Sequence, residues 1–92
     1  MLLRDAVGRE LRAVRLAQSR TLRSVARDAR VSLGYLSEVE RGQKEASSEL
    51  LASICAALNI ELSKLLSDVT VQIAQSEFKS EKTALKVISD AA

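Results

Sequence analysis

The chain has no proline and no histidine, a single cysteine, and glycine only at Gly8, Gly34 and Gly42. The lack of proline and glycine leaves almost nothing to interrupt helices, and the composition predicts an all-α fold. One cysteine and no histidine exclude a disulfide framework and zinc sites. They also remove most acid-base and nucleophilic triads. Cys55, in "LLASICAALNI", falls on the apolar face of an expected helix and reads as a buried packing thiol. Long hydrophobic runs are also missing. None approaches the roughly 20 residues needed to span a bilayer, and "MLLRDAVGRE" is charged too early for a signal peptide. The expectation is a cytoplasmic protein without membrane contact.

Ninety-two residues suffice for one core and a short appended arm, the size of a binding module and too small to wall off a deep enzymatic cleft. No convergent base or nucleophile pair is present, so neither an enzyme nor a cofactor is expected. The net charge of +2 hides an asymmetry. Residues 1–44 carry nine arginines and one lysine against five acids, a net +5; residues 45–92 carry four lysines against seven acids, a net −3. A basic front half seeks phosphate, although arginines on helices can also serve solubility alone.

Apolar residues at Leu3, Val7, Leu11 and Val14 recur every three or four positions and predict a helix over about residues 3–18. Thr21 is placed to cap a second, short helix with Leu22, Val25, Ala26 and Ala29 as its stripe. Ser32 caps a third, with Leu33 or Leu36 and Val39 inward, until Gly42 supplies a positive φ that ends it. Only "ARV" separates the second helix from the third, and helices joined that tightly cross steeply, as in a helix-turn-helix. Ser47 or Ser48 opens a fourth helix with Leu50 or Leu51, Ile54, Ala57 and Leu58 inward and Asn59 as terminator; "IELSKLL" reads as a brief fifth. The expected domain is therefore residues 1–67, followed by a tail over 68–92. In that tail Val71, Ala74, Phe78, Leu85 and Ile88 form a heptad-like seam, with Glu81 where an apolar residue is due. Such a seam suits a homodimer; folding back on its own domain, or a strand over "VTVQIA", are the other readings.

The run "TLRSVARDARVSLGYLSEVERG" with "LLASICAALNI" resembles the Cro/C1, or Xre, family of helix-turn-helix DNA-binding domains over about residues 8–66. The matching positions are Arg15, Thr21, Ala26, Val31, Ser32, Tyr35, Leu36, Ser37, Glu40 and Gly42. The resemblance implies a five-helix domain whose third helix enters the major groove of double-stranded DNA. It assigns base reading to Ser32, Leu33, Gly34, Ser37 and Glu38. Phosphate contacts fall to Arg23, Arg27, Tyr35, Arg41, Gln43 and Lys44, with Arg20 and Arg30 in second rank; simple packing is the other reading of Tyr35, and a solvated charge that of any one cation. Arg15 and Glu40 match a structural ion pair. Serines can donate or accept, Leu33 can meet a thymine methyl, and Glu38 can accept from cytosine, with an exposed surface carboxylate as its other reading. Two positions depart from the family pattern: Arg30 stands where the turn usually has glycine, and Leu22 where a phosphate-touching glutamine often opens the second helix.

"RSVARDARVSLGYLSEVERGQKEASSELLASICAALNI" is similar, in addition, to the actinobacterial family of Clp gene regulators. That similarity implies a dimeric activator of Clp protease genes on an inverted-repeat operator, with RNA polymerase and Clp protease as further partners. The closing "SDAA" resembles recognition tags for Clp-type proteases, with a frayed terminus as the plainer reading of Ala91 and Ala92. A phage-type repressor or antitoxin of the same fold, and a helical interaction module that binds no DNA, are the alternatives.

Overall fold

The computed structural model describes the backbone of residues 1–91 and the side chains of residues 1–79. The elements are α1 (Leu3–Ala17), α2 (Leu22–Ala29), α3 (Leu33–Glu40), α4 (Ser48–Ala57) and α5 (Leu62–Ala91), with no strand among the described residues. Three hydroxyls open helices as the sequence predicts. Thr21 Oγ1 accepts from the Ser24 amide at 3.0 Å, Ser32 Oγ from Tyr35 at 3.0 Å and Ser47 Oγ from Leu50 at 3.2 Å. Each satisfies a backbone donor that the first turn leaves free, a contribution of about 1 kcal/mol.

The helix ends share one solution. Arg20 N donates to Arg15 O at 3.1 Å, Val31 N to Ala26 O at 3.0 Å, Gln43 N to Glu38 O at 2.8 Å and Ile60 N to Cys55 O at 3.0 Å. Each bond spans five residues and closes a Schellman-type cap. The left-handed residue within it is Ser19 (φ 55°), Arg30 (φ 59°), Gly42 (φ 73°) or Asn59 (φ 56°). A chain with three glycines thus ends three of its helices on non-glycine residues.

Every helix contributes to a single core. Ala6, Val7 and Leu11 come from α1, Val25, Ala26 and Ala29 from α2, Leu36 and Val39 from α3, Ile54 and Cys55 from α4, Leu58 from its cap, and Leu65 and Val69 from α5. Of the alternatives left open for α3, Leu36 is inward and Leu33 outward. Leu51 packs against the core at its margin. Leu3 departs from its expected place in the α1 stripe and is 61% exposed. The inward face of α1 turns instead through Ala6 and Gly8, whose small size lets other helices approach.

The tail is not a separate element. Leu62–Ala91 is one continuous helix running through 67 and 68. No helix breaker lies in it, the Lys64–Asp68 pair (3.1 Å) spans the expected break, and Thr70 Oγ1 donates back to Leu66 O at 2.8 Å. The strand alternative for "VTVQIA" gives way to helical spacing: Leu65 and Val69 are buried, and Gln72, Ile73 and Ser76 half-buried. The side chains of Leu85, Ile88 and Ala91, and Ala92 entirely, lie outside the described residues.

Candidate nucleic-acid interface

α3 has two faces with different tasks. Leu36 and Val39 are 1% exposed and fasten the helix to the core. Ser32, Leu33 and Gly34 are exposed, and Tyr35, Ser37 and Glu38 half-buried. A Cβ added to Gly34 would meet nothing within 4 Å, so this surface is open space and the glycine answers no packing need inside the domain. The Ser32 hydroxyl accepts from the Tyr35 amide, which leaves its proton free to donate outward.

Exposed polar and cationic side chains precede and follow α3 in the chain. Arg23 and Arg27 are exposed on α2, and Arg41, Gln43 and Lys44 follow the end of α3 in exposed positions. Arg27 Nε lies 3.8 Å from Asp28 Oδ1, a loose exposed pair that leaves the guanidinium available. Lys44 Nζ is 3.4 Å from Glu38 Oε2 and 6.0 Å from the Tyr35 ring centroid, so Glu38 has a local counter-charge against phosphate repulsion. Among the described residues no cluster of histidine, cysteine, aspartate or glutamate could hold a metal ion.

Arg20, a second-rank phosphate candidate in the sequence, is occupied inside the domain. It donates to Ala57 O, to Ser24 Oγ at 3.0 Å, and to Asp28 in an ion pair. Its work is to tie α4 to α2. Arg30 is exposed but sits at φ 59°, ψ 41°, so the turn keeps the left-handed geometry that glycine usually serves and imposes it on an arginine.

Four contacts from α1 hold the C-terminal end of α3. Arg15 and Glu40 form two parallel hydrogen bonds, Nε to Oε2 at 2.7 Å and Nη2 to Oε1 at 2.9 Å, with Nη1 donating to Arg20 O at 3.0 Å. The hydrogen bond to Glu40 raises the Arg15 pKa, against the opposing effect of burial. Arg4 Nε donates to Gly42 O at 2.9 Å. A Cβ on Gly8 would stand 2.4 Å from Val39 O, and one on Gly42 would stand 2.2 Å from Asp5 Oδ1. Arg4 and Gly8 were not expected here from the sequence. A glycine inside a helical pattern was the available signal, since that position costs about 1 kcal/mol against alanine unless packing requires it.

On α5, Val71 and Phe78 are 53% and 64% exposed, and Ala74 lies between them, also exposed. Ala74 follows buried Leu65 by nine residues, and Phe78 follows buried Val69 by nine. Nine residues are two and a half turns, so these side chains lie on the face turned away from the domain. The described part of the seam therefore does not fold back on its own core.

A helix-turn-helix family model matches residues 11–65. Over 76 residues the chain is 57% identical to the transcriptional regulator ClgR of Mycobacterium tuberculosis, covering 83% of this chain and 68% of the relative. The crystal structure of the clp gene regulator ClgR from Corynebacterium glutamicum superposes with a TM-score of 0.84 at 44% identity, over 92% of this chain and 90% of that one. The immunity repressor protein of Bacillus phage phi105 is 29% identical over 77 residues, 83% of this chain and 54% of the repressor. These relatives are regulators of transcription, not enzymes, and among the described residues no single helix is long and apolar enough to cross a membrane. An α3 with one face in the core and the other open, joined to α2 through a three-residue turn, places the chain in the Cro/C1-type helix-turn-helix family of DNA-binding transcriptional regulators, as a homologue of ClgR.

Proposed function

We propose that the protein is a homodimeric regulator that reads an inverted-repeat operator in double-stranded DNA, with Clp protease genes among its targets. The observation that carries this reading is the outer face of α3: exposed Ser32, Leu33 and Gly34 continue into Ser37 and Glu38, on a helix whose other face is locked in the core. In the major groove Ser32 and Ser37 hydrogen-bond to base edges, Leu33 packs on a thymine methyl, and Glu38 accepts from cytosine N4. Gly34 allows close approach. Arg23, Arg27, Arg41, Gln43 and Lys44 anchor phosphates, joined by the Tyr35 hydroxyl, and they position the helix without reading sequence.

One such domain buries little DNA surface. Two, paired through Val71, Ala74 and Phe78 and continuing to Leu85 and Ile88, would place two α3 helices on successive major grooves about 34–36 Å apart. The target genes are supported by the similarity to ClgR. Activation, which requires contact with RNA polymerase, is the reading that the sequence resemblance implies. Repression is the second reading, supported by the relation to the phi105 immunity repressor.

The test is footprinting of a Clp-gene promoter together with sedimentation of the free protein. The reading expects two protected half-sites about one helical turn apart and a dimer that V71E/F78E converts to monomer with loss of the paired footprint. A monomeric wild type, or one protected half-site, contradicts it. A reporter driven by the same promoter separates activation from repression.

A further inference from the structure

Gln72 lies on α5 between buried Val69 and half-buried Ile73, yet its side chain does not pack as an apolar one would. Its amide Nε2 donates to Glu10 Oε1 at 2.6 Å and to the backbone carbonyl of Ala6 at 3.4 Å. Both acceptors belong to α1. The carboxylate bond is charge-assisted and half-buried, so it is directional in a way that the apolar contacts around it are not. It adds a directional tie between α5 and α1 to the packing of Leu65 and Val69 in the core.

That tie bears on DNA recognition, because α1 is also the element to which the end of α3 is fastened. Arg4, Gly8 and Arg15 hold Gly42, Val39 and Glu40. Val71, the residue next to Gln72, begins the exposed seam. Gln72 and Glu10 therefore tie the helix that carries the seam to α1, and α1 in turn holds the end of α3.

We propose that the Gln72–Glu10 hydrogen bond is a positioning contact that sets the half-site spacing the dimer accepts. The inference rests on the dimeric reading above. Adding one base pair between half-sites moves them by about 3.4 Å and rotates them by about 35°. A dimer whose α5 is locked to α1 rejects that change; one whose α5 can turn accommodates it. Gln72 and Glu10 touch no DNA in this arrangement, so they act on spacing and leave base reading alone.

The experiment titrates full-length protein on operators with the natural spacing and with one base pair inserted or removed, alongside a single half-site. Wild type is expected to lose affinity on the order of tenfold for either change. Q72A and E10A are expected to reduce that penalty to about threefold or less, with half-site affinity unchanged and a cooperative thermal transition retained. In the exchange variant E10Q/Q72E the amide donor and the carboxylate acceptor trade helices: the inter-helix hydrogen bond re-forms, the longer bond to the Ala6 carbonyl is lost, and most of the wild-type spacing preference is expected to return. A uniform affinity loss across all spacings in Q72A, or a profile identical to wild type, overturns the inference and leaves the dimeric reading standing. Equal binding of all spacings by wild type also overturns it, and the absence of any preference for two half-sites over one defeats the dimeric reading itself.

Discussion

Arg15 and Glu40, on α1 and α3, meet through two parallel hydrogen bonds of 2.7 and 2.9 Å with side chains only 12% and 6% exposed. Removing one partner strands the other in a poorly hydrated site. Arg15→Ala and Glu40→Ala should each destabilise the protein by about 3 kcal/mol, read from urea unfolding at neutral pH. The double variant with two apolar replacements, R15M/E40M, should be less damaged than either single truncation. Because the folded-state pKa of Arg15 is raised, this contribution is complete below arginine's ordinary range and fades only as pH climbs through the still higher folded value. Unequal losses that add independently in the double variant would speak against a coupled pair.

Two glycines should answer alanine substitution with opposite signs. Gly8 faces the Val39 and Glu40 carbonyls at 2.4 and 2.6 Å from an added Cβ, so Gly8→Ala must push α1 off α3. A loss of about 1–3 kcal/mol is expected. Gly34 has open space around it, and Gly34→Ala should raise stability by up to about 1 kcal/mol through helix propensity. On the proposed reading it should also weaken operator binding, because the new methyl would stand on the surface proposed to enter the groove. Thermal melts and operator titrations of both variants check the pattern.

Arg30 holds a left-handed conformation that glycine adopts without strain. Arg30→Gly should therefore raise stability by about 1 kcal/mol, a Tm increase of about 4–8 °C for a domain of this size. If the guanidinium also touches phosphate, the same variant binds DNA more weakly and with a shallower salt dependence. An unchanged or lowered Tm contradicts the strain argument.

Burial pushes the Cys55 thiol pKa up, and the residue is 2% exposed. The unfolded chain then loses its thiol proton before the folded one does. Stability is complete below the ordinary thiol range and falls as pH rises above about 8.5, by up to about 1.4 kcal/mol per pH unit from this group. Cys55→Ala should show a flatter decline over the same range, measured by urea unfolding at several pH values. Coincident slopes would contradict the assignment.

How much of this was legible in the sequence depends on range. Local chemistry was readable: Thr21, Ser32 and Ser47 cap as hydroxyls before apolar stripes do, and Gly42 and Asn59 end helices by positive φ. Long-range commitments were not. The sequence offered Arg20 to phosphate, yet its partners Ala57 and Asp28 come from two different helices, and nothing in local spacing pairs them. Leu3 matched a helical period but lies at a helix start, beyond the reach of the core. The break expected near Ser67 is absent because no residue between "IELSKLL" and the tail stops a helix. Arg4, Gly8 and Gln72 escaped because each gains its meaning from an element distant in the chain.

The central claim is that the open face of α3 reads a specific operator. The most direct measurement is a binding titration on a Clp-gene promoter fragment and on a scrambled fragment of equal length, at two salt concentrations. Tight binding to the promoter alone is expected, weakening steeply with salt because Arg23, Arg27, Arg41 and Lys44 displace counterions from the DNA phosphates. Equal affinity for both fragments, or no binding at low salt, would contradict it.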